Sequence, residues 1–454
     1  MTDDIRRPNI LLITADDMDA CSPSSFGGPA GITPNLDRLA TEGIRFGRAH
    51  VVAAVCQPSR SAIMTGLVPH RNGAEGFEPI NDGITLLTQL LADAGYLLGI
   101  LGKVDHIAPV DRFGWDLIRS MRDLGLGRDP ARYGAAAREF FAQAAEQPWF
   151  LMANAHDPHR PFSGSKQEQE KWSEEERAAI PMPSASYAAH DGELPGFLSD
   201  VPGVRQEYGE YLRSVRRCDD VVGAVLEALD ETGQTEDTLV LFLSDNGMAF
   251  PFAKANCYLR STLTPLIVRW PGHIVSGRMD TQSLVSSLDF FPTICEIAGL
   301  PAPCDLDGIS IRALLDGESG IDRDTMFTVF HETSASLRFE MRCAQDRRYG
   351  YIWNEWSGRN RTYQAENMEG LSWAAMIEAG ARSSEIEERN RFYLERSPEE
   401  LYDLAVDPHG LHNLADEPSL AEVLQDFRQR LLQWMAEHGD PQLKNFQVKV
   451  LRGA

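Results

Sequence analysis

Four short apolar runs between positions 9 and 243 constrain this chain more than any other feature. Asn9-Ile10-Leu11-Leu12-Ile13-Thr14 leads into Asp16-Asp17, and Leu97-Leu98-Gly99-Ile100-Leu101 into Lys103 and His106. Trp149-Phe150-Leu151-Met152 leads into His156-Asp157-Pro158-His159, and Leu239-Val240-Leu241-Phe242-Leu243 into Asp245-Asn246. Strands this apolar must be covered on both faces, as in a mostly parallel sheet sandwiched by helices. In such α/β folds ligands sit beyond the carboxyl ends of the strands. One polar strand end is usually a turn or a helix cap. Four of them, carrying carboxylates, an amide, a lysine and histidines, aim the sheet at a site.

Helical patterns fall between these runs. Tyr208, Leu212, Val215, Val222, Leu226 and Leu229 recur largely at three- and four-residue spacing, with Gly233 as the stop. Pro34 to Gly43 and Thr85 to Gly95 read as two more helices closed by glycine. From Ser163 to Pro202 the chain is polar and proline-bearing without clear period, an excursion over the rim of the site. Past about residue 320 the character changes. Arg348-Tyr349-Gly350-Tyr351-Ile352-Trp353 suggests a strand, Leu404 to Leu414 is rich in turns, and a helix from Leu420 to His438 closes the chain. The expected organisation is a catalytic α/β domain over 1–325 and a smaller α+β domain over 326–454, with an antiparallel sheet and that closing helix.

Composition removes several classes of function. Lys plus Arg number 43 against 67 for Asp plus Glu, a formal charge of −24. A surface so acidic repels nucleic acid and anionic lipid at long range. No apolar run approaches the ~20 residues a membrane-spanning helix needs. The seven cysteines (21, 56, 218, 257, 295, 304 and 343) are odd in number, scattered and without a CxxC pair. That pattern suits thiols in a reducing compartment. With no signal-peptide layout between Met1 and Ile13, the expectation is a cytoplasmic protein.

The most informative stretch is Cys56-Gln57-Pro58-Ser59-Arg60-Ser61-Ala62-Ile63-Met64-Thr65-Gly66. Pro58 fits the first turn of a helix and places Cys56 at its N-terminus, where backbone N–H groups attract an anion. Arg60, four positions on, shares that helix face. Taken alone, the pattern is equally compatible with a buried cysteine beside a surface arginine.

Cys-x-Pro-Ser-Arg followed by Thr-Gly resembles the signature of the type I sulfatases, which have an alkaline-phosphatase-like fold. Asn9 to Asp17 resembles their first metal-binding strand, Gly102-Lys103 their catalytic-lysine segment, and Ser244-Asp245-Asn246-Gly247 their second metal segment. Glu400-Leu401-Tyr402-Asp403-Leu404, with Asp407-Pro408 and Asn413-Leu414-Ala415, resembles their C-terminal motif. Phe150 to Arg160, Ser244 to Phe250 and Met341-Arg342 are most similar to the heparan N-sulfatase (sulfamidase) branch.

The resemblance implies conversion of Cys56 to formylglycine by a formylglycine-generating enzyme. An aldehyde hydrate offers two hydroxyls: one attacks sulfur, and deprotonating the other expels sulfate and restores the aldehyde. Asp16, Asp17, Asp245 and Asn246, with the modified Cys56, would hold a metal. Their hard oxygens favour Ca²⁺ or Mg²⁺ over zinc, and the resemblance tips the choice to Ca²⁺, with Mg²⁺ or Mn²⁺ as alternatives. Arg60, Lys103 and Lys254 are the candidates for charge on the sulfate oxygens. Lys254 stands where the sulfamidase branch carries arginine and other sulfatases lysine. His106 and His156 are the proton-transfer candidates. By analogy His156 protonates the leaving group and His106 contacts or deprotonates the hydrate, although Gly102-Lys103-Val104-Asp105-His106 departs from the usual Gly-Lys-x-His spacing. His159 and Arg160 are the expected substrate-facing residues, with a rim turn closed by Pro158 and Pro161 as the plainer alternative.

The expected activity is therefore hydrolysis of a sulfate ester or sulfamate of a small molecule. Repulsion by the chain's net charge disfavours long sulfated polymers. A phosphonate monoester or phosphodiester hydrolase on the same scaffold is the enzymatic alternative, because phosphorus and sulfur centres share tetrahedral geometry and anionic oxygens. A catalytically inactive binding homologue is the remaining one.

Overall fold

In a computed structural model the described residues are 7–144, 147–188, 191–318, 320–358 and 361–451. The strands in chain order are β1 (Asn9–Ala15), β2 (Ile44–Phe46), β3 (Ala49–His50), β4 (Leu97–Leu101), β5 (Leu117–Arg119), β6 (Trp149–Asn154) and β7 (Thr238–Ser244). They continue with β8 (Leu266–Arg269), β9 (Arg278–Asp280), β10 (Val285–Ser286), β11 (Met326–Glu332), β12 (Arg338–Gln345), β13 (Tyr349–Asn354) and β14 (Glu399–Asp403).

The four apolar runs are β1, β4, β6 and β7, and they lie side by side in the middle of an eight-stranded sheet of order β5-β4-β6-β1-β7-β8-β2-β9. All three pairings among them are parallel. Thr14 stands beside Asn154 on one side and Leu243 on the other, so the three strands end level and their polar continuations meet. Only β8 runs antiparallel to its neighbours, β7 and β2.

The pleat divides each strand between two cores. Leu11, Ile13 and Ala15 of β1 face one, and Ile10 and Leu12 the other. Each fully buried Leu or Ile contributes about 1.5–3 kcal/mol, which is why a two-sided sheet tolerates no polar residue before its ends. On the first face lies a long helix, Pro202–Thr232, with Gly233 as a left-handed C-cap, as its spacing predicted. It packs on the helix Pro130–Ala144. The segment from Ser163 is more regular than its composition suggested. Lys166–Lys171 and Glu174–Ala178 are short helices capped by the Ser165 and Ser173 hydroxyls, local hydrogen bonds that hydrophobic periodicity does not reveal.

β11 to β14 form an antiparallel four-stranded sheet beginning at Met326. Val329, Ala344, Tyr351 and Trp353 pack under the helix Ala421–Glu437 through Phe427, Leu431 and Trp434. The opposite face, with Phe330, Met341 and Ile352, belongs to the same core as Leu11. This smaller sheet is thus joined to the larger one through packed side chains.

Candidate active site

The site forms where β1, β6 and β7 end and the helix Cys56–Thr65 begins. All ten residues of that helix are buried, Arg60 included. Arg60 therefore needs partners, and the strand ends supply them. Its Nε and Nη2 reach Asp245 Oδ2 at 2.9 and 2.7 Å. Its Nη1 donates to Asn154 Oδ1 at 2.6 Å and Thr14 Oγ1 at 2.8 Å. Asn154 in turn donates to the carbonyls of Leu101 and Gly102, tying β6 to the end of β4. Asn154 was absent from the residues expected from sequence; its place two residues before His156 was the available signal.

Two tight backbone approaches shape the strand ends. A Cβ on Gly102, whose φ is +71°, would stand 2.5 Å from the Asn154 carbonyl oxygen, and one on Gly247 2.0 Å from that of Arg260. Asp17 (φ 70°) and Lys103 (φ 52°) adopt the left-handed region, which side-chain-bearing residues enter at a cost. Both strained residues belong to the cluster around Cys56.

Cys56 Sγ lies 3.2 Å from Asp16 Oδ1, 3.3 Å from Lys254 Nζ and 4.0 Å from both Asp17 Oδ1 and Asn246 Nδ2. Lys254 Nζ donates to Asp17 Oδ1 at 2.7 Å, and Lys103 pairs with Asp16 Oδ2. The structure thus brings Asp16, Asp17, Cys56, Arg60, Lys103, Asp245, Asn246 and Lys254 into one buried cluster. Burial pushes the Cys56 thiol well above its ordinary value, and Asp16 adds to this against Lys254. Burial also raises the Asp16 carboxyl, but Lys103, His159 and His156 outweigh it and hold Asp16 well below the usual carboxylate range. For Asp17 burial wins over Lys254, and with Asp16 and Asp245 nearby its carboxyl rises to about 7.

Three carboxylates (Asp16, Asp17, Asp245) face three cations (Arg60, Lys103, Lys254), so the cluster is neutral by formal charge. Asp17 Oδ2 and Asn246 Oδ1 are buried without a hydrogen-bond partner among the described residues. A divalent ion fits that arrangement: it would use those oxygens and leave the pocket positive, ready for an anion. Asp16, Asp17, Cys56 and His159 each offer one ligand atom, all within 4.8 Å of one another. His159, expected to face substrate, is thereby also within reach of the metal position; its Nε2 is 3.8 Å from Asp17 Oδ2.

Above Cys56 opens a cavity of about 240 Å³, small against the ~300–1,000 Å³ of most ligand pockets. Cys56, Asp17, Lys254, His106 and His159 line its inner end. His106 packs its ring edge against Phe77, 5.8 Å between centroids, and burial with the nearby Lys103 charge lowers its pKa to about 2. The histidine expected to protonate the leaving group is placed differently. His156 Nδ1 is 3.1 Å from Asp16 Oδ2, and its ring stacks behind that of His159 at 4.8 Å. Of these two it is His159 that lines the cavity.

Arg160 touches the cavity wall, but its guanidinium is already engaged. It pairs with the buried Glu207 and donates through Nε and Nη2 to the Ala249 carbonyl at 3.1 and 2.7 Å. The Glu207 carboxylate then accepts from Leu371 N at 3.0 Å and Ser372 N at 2.6 Å. Asn367 donates to the Lys254 carbonyl at 2.5 Å. Residues of the connection between β13 and β14, including the start of the helix Leu371–Gly380, are thereby fastened to the catalytic cluster, which no local sequence pattern announces.

This fold, with a metal-ready carboxylate cluster and three cations around a Cys-x-Pro-Ser-Arg helix start, defines a hydrolase of sulfate-type esters. The chain belongs to the sulfatase family: the model described as "Sulfatase" matches residues 8–300, and that described as "N-sulphoglucosamine sulphohydrolase, C-terminal" matches 249–355. Among its relatives is the human N-sulphoglucosamine sulphohydrolase, 31% identical over 470 residues, covering 96% of this chain and 91% of the relative. Two solved structures share the fold. One, in complex with its substrate D-glucosamine-2-N,6-O-disulfate, has a TM-score of 0.69 at 19% identity and covers 96% of this chain and 99% of its own. The other, the phosphonate monoester hydrolase of Agrobacterium radiobacter, has a TM-score of 0.67 at 21% identity and covers 95% and 96%.

Proposed function

We propose that this enzyme hydrolyses the sulfate ester or sulfamate of a small molecule, an N-sulfated amino sugar foremost, using formylglycine at Cys56 and Ca²⁺. The observation that carries the reading is the buried, charge-balanced cluster of Asp16, Asp17, Asp245, Arg60, Lys103 and Lys254 around Cys56. The relation to the human N-sulphoglucosamine sulphohydrolase supports the substrate class. The small cavity and the −24 charge favour single sugars or chain ends over long polyanions. The seven free cysteines support a reducing, cytoplasmic setting.

The ion, held by Asp16, Asp17, Asp245 and Asn246, would supply Lewis-acid polarisation of a sulfate oxygen, and the aldehyde hydrate a nucleophile with a built-in release step. The chain's own side chains do the rest. Lys254 and Lys103 neutralise charge on the non-bridging oxygens in a site shielded from bulk water. Arg60 fixes the carboxylate of Asp245. His156 holds Asp16, and His159 lines the cavity beside the departing oxygen or nitrogen, its Nδ1–H donated to the Arg160 carbonyl at 2.5 Å.

The test has two stages. Peptide mass spectrometry over Val51 to Arg71, on protein co-expressed with a formylglycine-generating enzyme, is expected to show the aldehyde or its hydrate. Turnover is then compared for glucosamine N-sulfate, an aryl sulfate and an aryl phosphonate ester. The likeness to a phosphonate monoester hydrolase makes the last comparison the decisive one: faster phosphonate than sulfate turnover would overturn the sulfohydrolase reading.

A further inference from the structure

The outer wall of the cavity has a charge opposite to what its floor requires. The floor is organised to accept an anion, yet of the remaining charged lining residues two are acids, Glu366 and Glu369, against one lysine, Lys171. Lys171 lies in electrostatic reach of Glu369, while Arg160 is already paired with Glu207. Glu366 Oε2 accepts from Ser334 N at 3.4 Å, while Oε1 is buried without a hydrogen-bond partner among the described residues. A buried carboxylate oxygen left without a donor is costly. The arrangement is explained if a ligand supplies the donor.

The position of these two acids is fixed. Both lie on one turn: Glu366–Met368 is a 3₁₀ helix, and Glu369 and Gly370 follow it. Asn367 binds the Lys254 carbonyl and accepts from the Tyr393 hydroxyl at 2.9 Å. A Cβ on Gly370 would stand 2.0 Å from Arg160 Nη1, so the turn lies directly against that guanidinium. Arg160 and Glu207 act here as positioning residues: they hold the turn while their own polar atoms are engaged.

We infer that Glu366, seconded by Glu369, selects the leaving group. It accepts a hydrogen bond from a hydroxyl or ammonium on the molecule attached to sulfur, and it repels a second anionic group at that end of the cavity. The ligand class is a monosulfated amino sugar or polyol, and doubly sulfated sugars are rejected. Like charges brought together at a partly desolvated cavity wall repel each other, which discriminates against the second anion. This deepens the proposed function and rests on it for the chemistry at sulfur, but its test requires only binding.

Calorimetry on Cys56→Ala protein in calcium buffer would compare glucosamine N-sulfate with its N,3- and N,6-disulfates. The dissociation constants of both disulfates are expected to exceed that of the monosulfate by ~10-fold or more. Adding Glu366→Gln should bring those ratios toward one; Glu369→Gln, at an exposed position that tolerates substitution, should narrow them by less. Ratios near one in the parent, no binding of the monosulfate, or ratios that survive both substitutions would each overturn the inference. If selective binding holds but the converted enzyme turns over no sulfate, the sulfohydrolase reading falls and this one stands.

Discussion

The floor and the wall of the cavity are built by different means. The floor comes from the ends of four neighbouring strands and one helix start, elements that packing holds in register. The wall comes from turns and from the long connection between β13 and β14, pinned by a few side-chain hydrogen bonds. A reaction at sulfur needs the same oxygens neutralised whatever the leaving group, so rigid strand ends suit it. The leaving group differs between substrates, and loops can change without disturbing the sheet. The division predicts that floor substitutions remove rate for every substrate, while wall substitutions alter the choice among them.

The sharpest test of that division is at Cys56. Cys56→Ala, which cannot be converted to formylglycine, should lower turnover of every sulfate by ~10³-fold or more relative to converted parent enzyme, read by steady-state kinetics. Lys254→Ala should follow, with kcat reduced by ~10²–10³-fold, because a fixed cation on the developing charge is lost. The loss should be similar for glucosamine N-sulfate and an aryl sulfate; a large difference between them would place Lys254 with the wall.

The same division governs what the sequence made legible. Strand ends follow from apolar runs, so the sequence alone places Asp16, Asp17, Lys103, Asp245 and Asn246, and the helix start brings Cys56 and Arg60. The wall could not be read this way. Arg160 follows a strand end and was expected to face substrate, whereas burial commits its guanidinium to Glu207, 47 residues away. Nothing local in Glu366-Asn367-Met368-Glu369 marks it as part of a site, because its placement depends on Tyr393, Lys254 and Glu207. His156 and His159 share one turn, and only packing decides which ring lines the cavity.

Glu207→Ala breaks the link between the two regions. It leaves the Arg160 guanidinium buried without its counter-charge, at a cost of about 3–5 kcal/mol in unfolding free energy, measurable by urea titration. In the folded fraction kcat/KM for glucosamine N-sulfate should fall by ~10–100-fold as the Glu366 turn shifts. Removing the metal acts from the other side. Chelation should abolish turnover and lower stability by about 2.7 kcal/mol relative to protein with free ion at a hundred times its dissociation constant. The melting temperature should recover on adding Ca²⁺, which a purely structural carboxylate cluster would not require.

The smallest effect lies away from the cavity, where the two-stranded β3–β10 pair meets the four-stranded sheet. His50 at the end of β3 is buried, with Nδ1 3.1 Å from Thr262 Oγ1 and Nε2 3.1 Å from Gln345 Nε2 on β12. Gln345 can only donate there, so Nε2 must accept and Nδ1 must carry the proton. Burial, aided by the Arg48 charge, lowers the His50 pKa to about 3. Its folded value is thus depressed below the ~6.5 of an unfolded chain. The unfolded state binds more protons between those values, so the stability is present above pH ~6.5 and is lost as pH falls toward 3. By pH 5 the loss from this group is roughly 2 kcal/mol. Melting temperatures between pH 7 and 5 should therefore decline less steeply in His50→Asn than in the parent, even though the variant starts lower. Parallel slopes would show that the acid-sensitive groups lie elsewhere, and would return attention to the carboxylates of the floor.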